Sequence, residues 1–115
     1  MCGGLGGVME AACRGAKDAG GTTVGILPGT DRAAANPFVD VAVATGLGEA
    51  RNALVVRAAD AVIAIGGGYG TLSEIALALK AGKRVVGLET WDVEGVEVAD
   101  SPAAAVEAVL TDLTT

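Results

Sequence analysis

A run of glycines near the middle of the chain is the segment best suited to chemistry: Gly66-Gly67-Gly68-Tyr69-Gly70-Thr71. It follows an apolar stretch typical of a buried strand and precedes a stretch with helical periodicity. At such a turn, backbone amides and the helix dipole converge on a bound anion. The sequence therefore predicts a phosphate-binding loop that uses Gly66, Gly67, Gly68, Gly70 and Thr71. The alternative is a tight turn in which glycine serves packing alone.

The loop matches neither of the two common nucleotide fingerprints. An ATP-binding P-loop ends in Gly-Lys-Ser/Thr, and the dinucleotide pattern requires glycine where Thr71 stands. Glu74 follows three residues later, and this Thr-x-x-Glu spacing is that of a helix capping box. A carboxylate beside a bound phosphate also suits cleavage of a glycosidic bond. Both interpretations of Glu74 stay open from the residues alone.

Arg51 is the second candidate for chemistry, because it follows another small-residue turn, Gly46-Leu47-Gly48. This turn comes after a predicted strand, so Arg51 can face a ligand at the same edge of the sheet. The alternative is a solvated arginine on the polar side of a helix whose apolar side includes Leu54 and Val55.

Two kinds of segment alternate along the chain and position these residues. β-Branched runs predict strands at Thr23–Leu27, Val39–Ala44, Ala61–Ile65 and Arg84–Leu88. Alanine-rich runs predict helices at Gly7–Ala19, Gly48–Ala59, Leu72–Ala81 and Pro102–Leu113. This alternation predicts an α/β fold, in which a parallel sheet has flanking helices and binds ligands outside its carboxyl edge. The strand Ala61–Ile65 has no polar residue, and we expect it in the middle of the sheet.

The first residues contain a second glycine turn, Gly3-Gly4-Leu5-Gly6-Gly7, with no strand in front of it. A strand normally anchors such a turn, so we expect that the N-terminal β-α-β portion of the fold is missing from this sequence because the start of the chain is misassigned. A natural truncation is the alternative. The length of 115 residues fits a single domain, residues 1–115.

Composition excludes several classes of function. The net charge of −6 repels nucleic acid, although a local group of amides can still bind a small anion. The chain has no histidine, which excludes Ser-His and Cys-His nucleophile pairs, and its two cysteines lack CxxC spacing, so we expect reduced thiols and no metal site. No apolar run is long enough to span a membrane and no export signal is recognisable, which predicts a cytoplasmic protein.

Taken together, these motifs resemble the LOG-like proteins, formerly described as lysine decarboxylase-like, and within them the branch that resembles molybdenum cofactor carrier proteins. Residues 66–74 are similar to the family's Pro-Gly-Gly-x-Gly-Thr-x-x-Glu, and residues 2–9 are similar to its Gly-Gly-Gly-x-x-Gly-Leu-Met turn. Residues 48–52 match a family segment that contains an Arg-Lys pair. Two departures favour the carrier branch: Gly66 replaces the proline, and Asn52 replaces the lysine.

The resemblance implies a Rossmann-like fold, a homo-oligomer (a dimer or larger), and a phosphomonoester ligand at the loop, with Gly3 and Gly4 of the first turn taking part in binding. In the carrier branch the ligand is a nucleotide-like or pterin molecule, with molybdenum cofactor as cargo and no other cofactor required. In the LOG branch, residues matching Arg51 and Glu74 serve hydrolysis of the N-glycosidic bond of nucleoside 5′-monophosphates to free base and ribose 5-phosphate. This phosphoribohydrolase activity is the alternative to carriage.

Overall fold

A computed structural model describes residues 1–111 as two compact units, the first covering Met1–Val55 and the second beginning at Val56. Every strand pairing in the described residues is parallel, as predicted. The elements, in chain order, are α1 (Val8–Asp18), β1 (Val24–Leu27), β2 (Val41–Ala44), α2 (Arg51–Ala58), β3 (Ala61–Ile65), α3 (Tyr69–Lys80), β4 (Arg84–Leu88), β5 (Glu97–Val98) and α4 (Pro102–Thr111).

The first unit is built on the two-stranded sheet of β1 and β2. Cys2 extends it by an isolated parallel bridge to Gly25, which places the first glycine turn beside β1. Lys17 of α1 forms a 2.7 Å ion pair with Asp40, at the start of β2. The hydrogen bond from Lys17, followed by that from the amide of Thr23, lowers the pKa of Asp40. These contacts connect α1 to the sheet.

The second unit contains a three-stranded sheet in the order β3-β4-β5, with a helix on each face. Neighbouring residues of a strand point to opposite faces. Accordingly, Val85 packs in a cluster with Ile75 of α3, while Val86 packs in a cluster with Val109 of α4. The prediction that β3 lies mid-sheet was wrong for this sheet. The middle strand is β4, and its residues Val85 to Leu88 are buried because helices cover both of its faces.

Most predicted boundaries agree with the structure. β3 and β4 have the predicted bounds, whereas α3 begins three residues before the predicted start at Leu72. The residues before α2 form a short 3-10 helix at Gly48–Ala50. Two short elements were not predicted, a 3-10 helix at Arg32–Ala34 and the two-residue strand β5. The predicted end of the last helix, Leu113, lies outside the described residues.

Two negative findings apply to residues 1–111. None of their helices has both the length and the apolar character needed to cross a bilayer. Nor do three or more cysteine, aspartate or glutamate side chains come together there in a way that could hold a metal ion.

Candidate functional site

The loop between β3 and α3 has glycines that intramolecular packing does not explain. Gly66 has a φ of +87°, which glycine adopts without steric cost and other residues rarely adopt. Gly67 and Gly68 do not have a positive φ, and a β-carbon built on either would find no atom within 4 Å. The tight-turn interpretation therefore accounts for Gly66 but not for Gly67 or Gly68. At Gly67 and Gly68, the absence of a side chain leaves the backbone open to close approach.

The start of α3 presents backbone amides to this open space. Its N-cap is Gly68, and no side chain caps it. The amide of Leu72 makes a 3.1 Å bond to the carbonyl of Gly68, so the amides of Tyr69, Gly70 and Thr71 precede the first intrahelical bond. The first turn also lacks an acidic residue. The helix end therefore carries a partial positive charge that suits an anion.

The capping-box interpretation of Thr71 and Glu74 was wrong. It requires Thr71 to be the N-cap, whereas Thr71 is the third residue of a helix capped by Gly68. The helix begins earlier than predicted because the extended part of the loop already ends at Gly68, with φ −72° and ψ 156°. Glu74 lies in the second turn and is half-buried.

The segment after β4 holds the loop in place. The hydroxyl of Thr90 donates a 2.6 Å hydrogen bond to the carbonyl of Gly66, and Nε1 of Trp91 donates a 3.1 Å bond to the carbonyl of Gly68. Glu89, which turns the chain out of β4, has a φ of +49° although it is not glycine. Sequence reasoning assigned no function to Trp91, and the 23 residues that separate it from Gly68 gave no signal of this contact.

Gly87 of β4 makes room for this support. A β-carbon built on Gly87 would lie 2.7 Å from Cγ2 of Thr90 and 2.9 Å from Cγ1 of Val96. Both distances are too short for real contacts, so a side chain at this position would displace Thr90. Gly87 of the middle strand β4 thus leaves room for Thr90, which holds the loop that follows β3.

The first glycine turn differs, because its leading residues are buried. Gly4 has a φ of +77°, and a β-carbon on it would lie 2.8 Å from Cδ2 of Leu27 and 3.1 Å from the Cα of Gly25. A β-carbon on Gly3 would lie 2.6 Å from Nη2 of Arg51. Close packing therefore explains why both positions are glycine. Their predicted role in ligand binding stays a prediction.

Arg51 does not extend into solvent, which was the alternative interpretation of this residue. Its guanidinium lies against Gly3, and its Nη1 donates a hydrogen bond to Oδ1 of the buried Asn52. Its Nε is buried and has no hydrogen-bond partner among the described residues. The structure thus brings Arg51 to the first glycine turn, within the first unit. Glu74 and the Gly66–Thr71 loop belong to the second unit.

Two cysteines lie beside the first turn. The Sγ atoms of Cys2 and Cys13 are 3.6 Å apart, and both are free thiols. The amide of Gly4 donates a 3.3 Å hydrogen bond to the sulfur of Cys2. Burial is the main cause that raises the pKa of Cys2, and the neighbouring Cys13 adds to it. Sequence spacing predicted reduced thiols but not their proximity.

Comparison with known proteins agrees with this architecture. A sequence model of the SLOG cluster4 family matches residues 1–112. The chain belongs to this family. Its resemblance to LOG-like proteins is thereby confirmed. An uncharacterized protein of Archaeoglobus fulgidus is 53% identical over 105 residues, which cover 90% of this chain and 69% of that protein.

Two solved structures share this fold. The molybdenum cofactor binding protein of Rippkaea orientalis is 43% identical, with a TM-score of 0.86, and the match covers 95% of this chain and 72% of that one. The molybdenum cofactor carrier protein of Chlamydomonas reinhardtii is also 43% identical, with a TM-score of 0.83 and the same coverage. The Rossmann-like α/β fold expected for this SLOG cluster4 chain is confirmed.

Proposed function

We propose that this chain is a molybdenum cofactor carrier that binds the phosphomonoester of its cargo at the Gly66–Thr71 loop. The observation that carries the proposal is the bare backbone of Gly67 and Gly68, where neither a positive φ nor packing requires glycine. The similarity to carrier proteins from Rippkaea orientalis and Chlamydomonas reinhardtii supports the identity of the cargo.

The physical basis is the local field at the start of α3. A phosphomonoester carries up to two negative charges, and the chain has a net charge of −6, so global electrostatics oppose binding. The uncapped amides of Tyr69, Gly70 and Thr71 offset this locally, because they donate hydrogen bonds and mark the positive end of the helix dipole. Glycine before them lets phosphate oxygens approach the main chain.

The residue composition of the chain also agrees with a carrier function. A carrier binds and releases its cargo without proton transfer, and this chain has no histidine to act as a general acid or base. Asn52 stands where LOG enzymes carry a lysine, and it is buried and bonded to Arg51. Arg51 and Glu74, the predicted catalytic residues, have no chemical step to perform in a carrier.

The test measures binding of isolated molybdenum cofactor to the wild-type chain and to two variants. Gly67→Ala adds a methyl group to the proposed site. Gly15→Ala is the matched control, because Gly15 lies in α1, its β-carbon would also meet open space and its φ is not positive. We expect about one cofactor per chain, an affinity about tenfold lower in Gly67→Ala, and wild-type affinity in Gly15→Ala. Absence of binding, or wild-type affinity in Gly67→Ala, would contradict the proposal.

The alternative is a LOG-type phosphoribohydrolase, which the half-buried residue Glu74 in the second turn of α3 favours. It predicts release of free base from nucleoside 5′-monophosphates, and loss of that release in Glu74→Gln and Arg51→Ala. A carrier releases no base. Base release that depends on either residue would replace carriage with hydrolysis as the function.

Two expectations about the whole protein stay predictions: the homo-oligomer and the cytoplasmic location. Light scattering on the eluted protein tests the first, since a dimer has twice the mass of the chain. Fractionation of the source cells tests the second.

A further inference from the structure

Tyr69, the first residue of α3, is an exposed aromatic side chain beside the candidate loop. It is 83% exposed, more than any other large apolar side chain in the described residues. Its ring stacks on that of Trp91, with centroids 5.9 Å apart and an interplanar angle of 26°. The two rings form a shelf, here called the Tyr69–Trp91 shelf, at the start of the helix. Tyr69 and Trp91 are also the chain's only tyrosine and only tryptophan.

The shelf is held in a defined position relative to the loop. Nε1 of Trp91 donates its 3.1 Å hydrogen bond to the carbonyl of Gly68, the N-cap of α3. Trp91 also packs against the buried cluster that contains Ile75 and Val85. A hydrogen bond at one edge and core packing at the other restrict the indole, and the indole in turn restricts the tyrosine ring.

Helix geometry sets the direction in which Tyr69 extends. The Cα–Cβ bonds of an α-helix tilt toward its N-terminus, so a side chain in the first turn leans back over the residues that precede it. The contact with Trp91, which is bonded to Gly68, agrees with this direction. An anion bound to the amides of the first turn would therefore lie beside the shelf.

We propose that the Tyr69–Trp91 shelf stacks against a planar heteroaromatic ring carried by the phosphomonoester ligand. This inference rests on the proposed phosphate loop and adds the residues that would contact the ring of the ligand. Aromatic side chains bind flat nitrogen heterocycles by offset stacking, which tolerates different ring substituents. A ligand with both parts is held at two points, at its phosphate by amides and at its ring by the shelf.

The exposure of Tyr69 distinguishes a ligand-binding role from a purely structural one. A tyrosine that only stabilises the fold buries its ring, because buried area is the source of hydrophobic stabilisation. Tyr69 instead leaves most of its ring in solvent and uses the tryptophan beneath it as a support. The exposed face is available to a ligand.

The experiment compares two phosphomonoesters that differ by the ring, adenosine 5′-monophosphate and ribose 5-phosphate. Dissociation constants are measured by calorimetry for the wild-type chain, Tyr69→Ala and Tyr69→Phe. We expect the wild-type chain to prefer adenosine 5′-monophosphate about tenfold. Tyr69→Ala should lose this preference while its affinity for ribose 5-phosphate stays unchanged, because alanine keeps the main-chain amide that residue 69 contributes to the loop. Tyr69→Phe should keep the preference.

Trp91 supplies a second readout, because no other tryptophan contributes to the emission. Adenosine 5′-monophosphate should change the emission of Trp91, ribose 5-phosphate should change it much less, and Tyr69→Ala should weaken the response to the nucleotide.

The outcomes distinguish the shelf from the loop. Equal affinity for the two compounds, or a preference that survives in Tyr69→Ala, overturns the shelf and leaves the phosphate loop standing. A shift of Tyr69→Ala to a smaller oligomer with the preference intact assigns the ring to an interface between copies and also overturns the shelf. If neither compound binds the wild-type chain, the phosphate loop itself fails and the shelf fails with it.

Discussion

The two glycine turns look alike in sequence but use glycine for different reasons. In the first, Gly3 and Gly4 are buried, and a β-carbon on either would collide with Arg51 or with Leu27. In the second, Gly67 and Gly68 are exposed, and a β-carbon on either would meet nothing. Gly3 and Gly4 of the first turn are therefore glycine for packing. In the second, packing and backbone conformation do not require glycine at Gly67 and Gly68, which lie at the start of α3, and we ascribe them to the proposed ligand.

This difference shows how a glycine motif can be separated into structural and ligand-binding parts. A structural glycine has a positive φ or a close neighbour, and its replacement changes stability. A ligand-binding glycine has neither and also lies beside the candidate site, as Gly15 of α1 does not, and its replacement should change affinity alone. Three glycine substitutions test this distinction and a thiol measurement tests the burial of the first turn, from the largest expected effect to the smallest.

Gly4→Ala should have the largest effect. Left-handed backbone strain and the contacts with Leu27 and Gly25 add up, and we expect a loss of about 3 kcal/mol in the free energy of unfolding. The matched variant Gly67→Ala should change that free energy by less than about 0.5 kcal/mol. Urea titration followed by circular dichroism measures both. Equal losses in the two variants would remove the distinction between the turns.

Gly87→Ala tests whether the second loop depends on the segment after β4. We expect a loss of about 2 kcal/mol, because the new methyl group would overlap Cγ2 of Thr90 and Cγ1 of Val96. Thr90→Ser removes Cγ2 but keeps the hydroxyl that bonds to Gly66. In the Thr90→Ser background, Gly87→Ala should therefore destabilise less. Additive losses in the double variant would show that Thr90 is not the residue displaced.

Gly3→Ala tests the contact between the first turn and Arg51. We expect a loss of about 1 kcal/mol, smaller than for Gly4, because the guanidinium is the end of a flexible side chain. The loss should shrink in an Arg51→Ala background, where the guanidinium is absent, as a double-mutant cycle of unfolding free energies would measure. A coupling free energy near zero would mean that Arg51 does not rest on Gly3.

Cys2 gives the smallest effect, a shift in thiol reactivity. Burial raises the pKa of Cys2, so less thiolate is present at a given pH and alkylation by iodoacetamide should be slower than for an unhindered thiol. Because the folded-state pKa is raised, the stability linked to Cys2 is present below its ordinary pKa and is lost as the pH rises through the folded-state value.

Mass spectrometry of the alkylated chain at several pH values measures this shift. Cys13→Ser should lower the midpoint for Cys2 partway, since Cys13 contributes to the raised pKa. A midpoint at or below that of a free cysteine would contradict the expected burial of the first turn.

The sequence predicted the bounds of helices and strands well where neighbouring residues in the chain determine them. β3 and β4 were predicted to the residue because β-branched runs end there at glycine or at charged residues. The start of α3 was missed by three residues, because Tyr69 and Gly70 have weak helix propensity and were assigned to the loop. The middle position of β4 was missed because an apolar strand reports burial but not its order in a sheet.

The sequence by itself determined the fold class, the parallel pairing, the family resemblance and the place of the glycine loop, since periodicity and turn residues act over short distances along the chain. The tertiary structure decided which glycines are structural and which are bare. It also decided that Arg51 lies on Gly3, and that Thr90 and Trp91 hold Gly66 and Gly68. These contacts join residues 23 to 48 positions apart, and the spacing of residue types carries no record of distances in space.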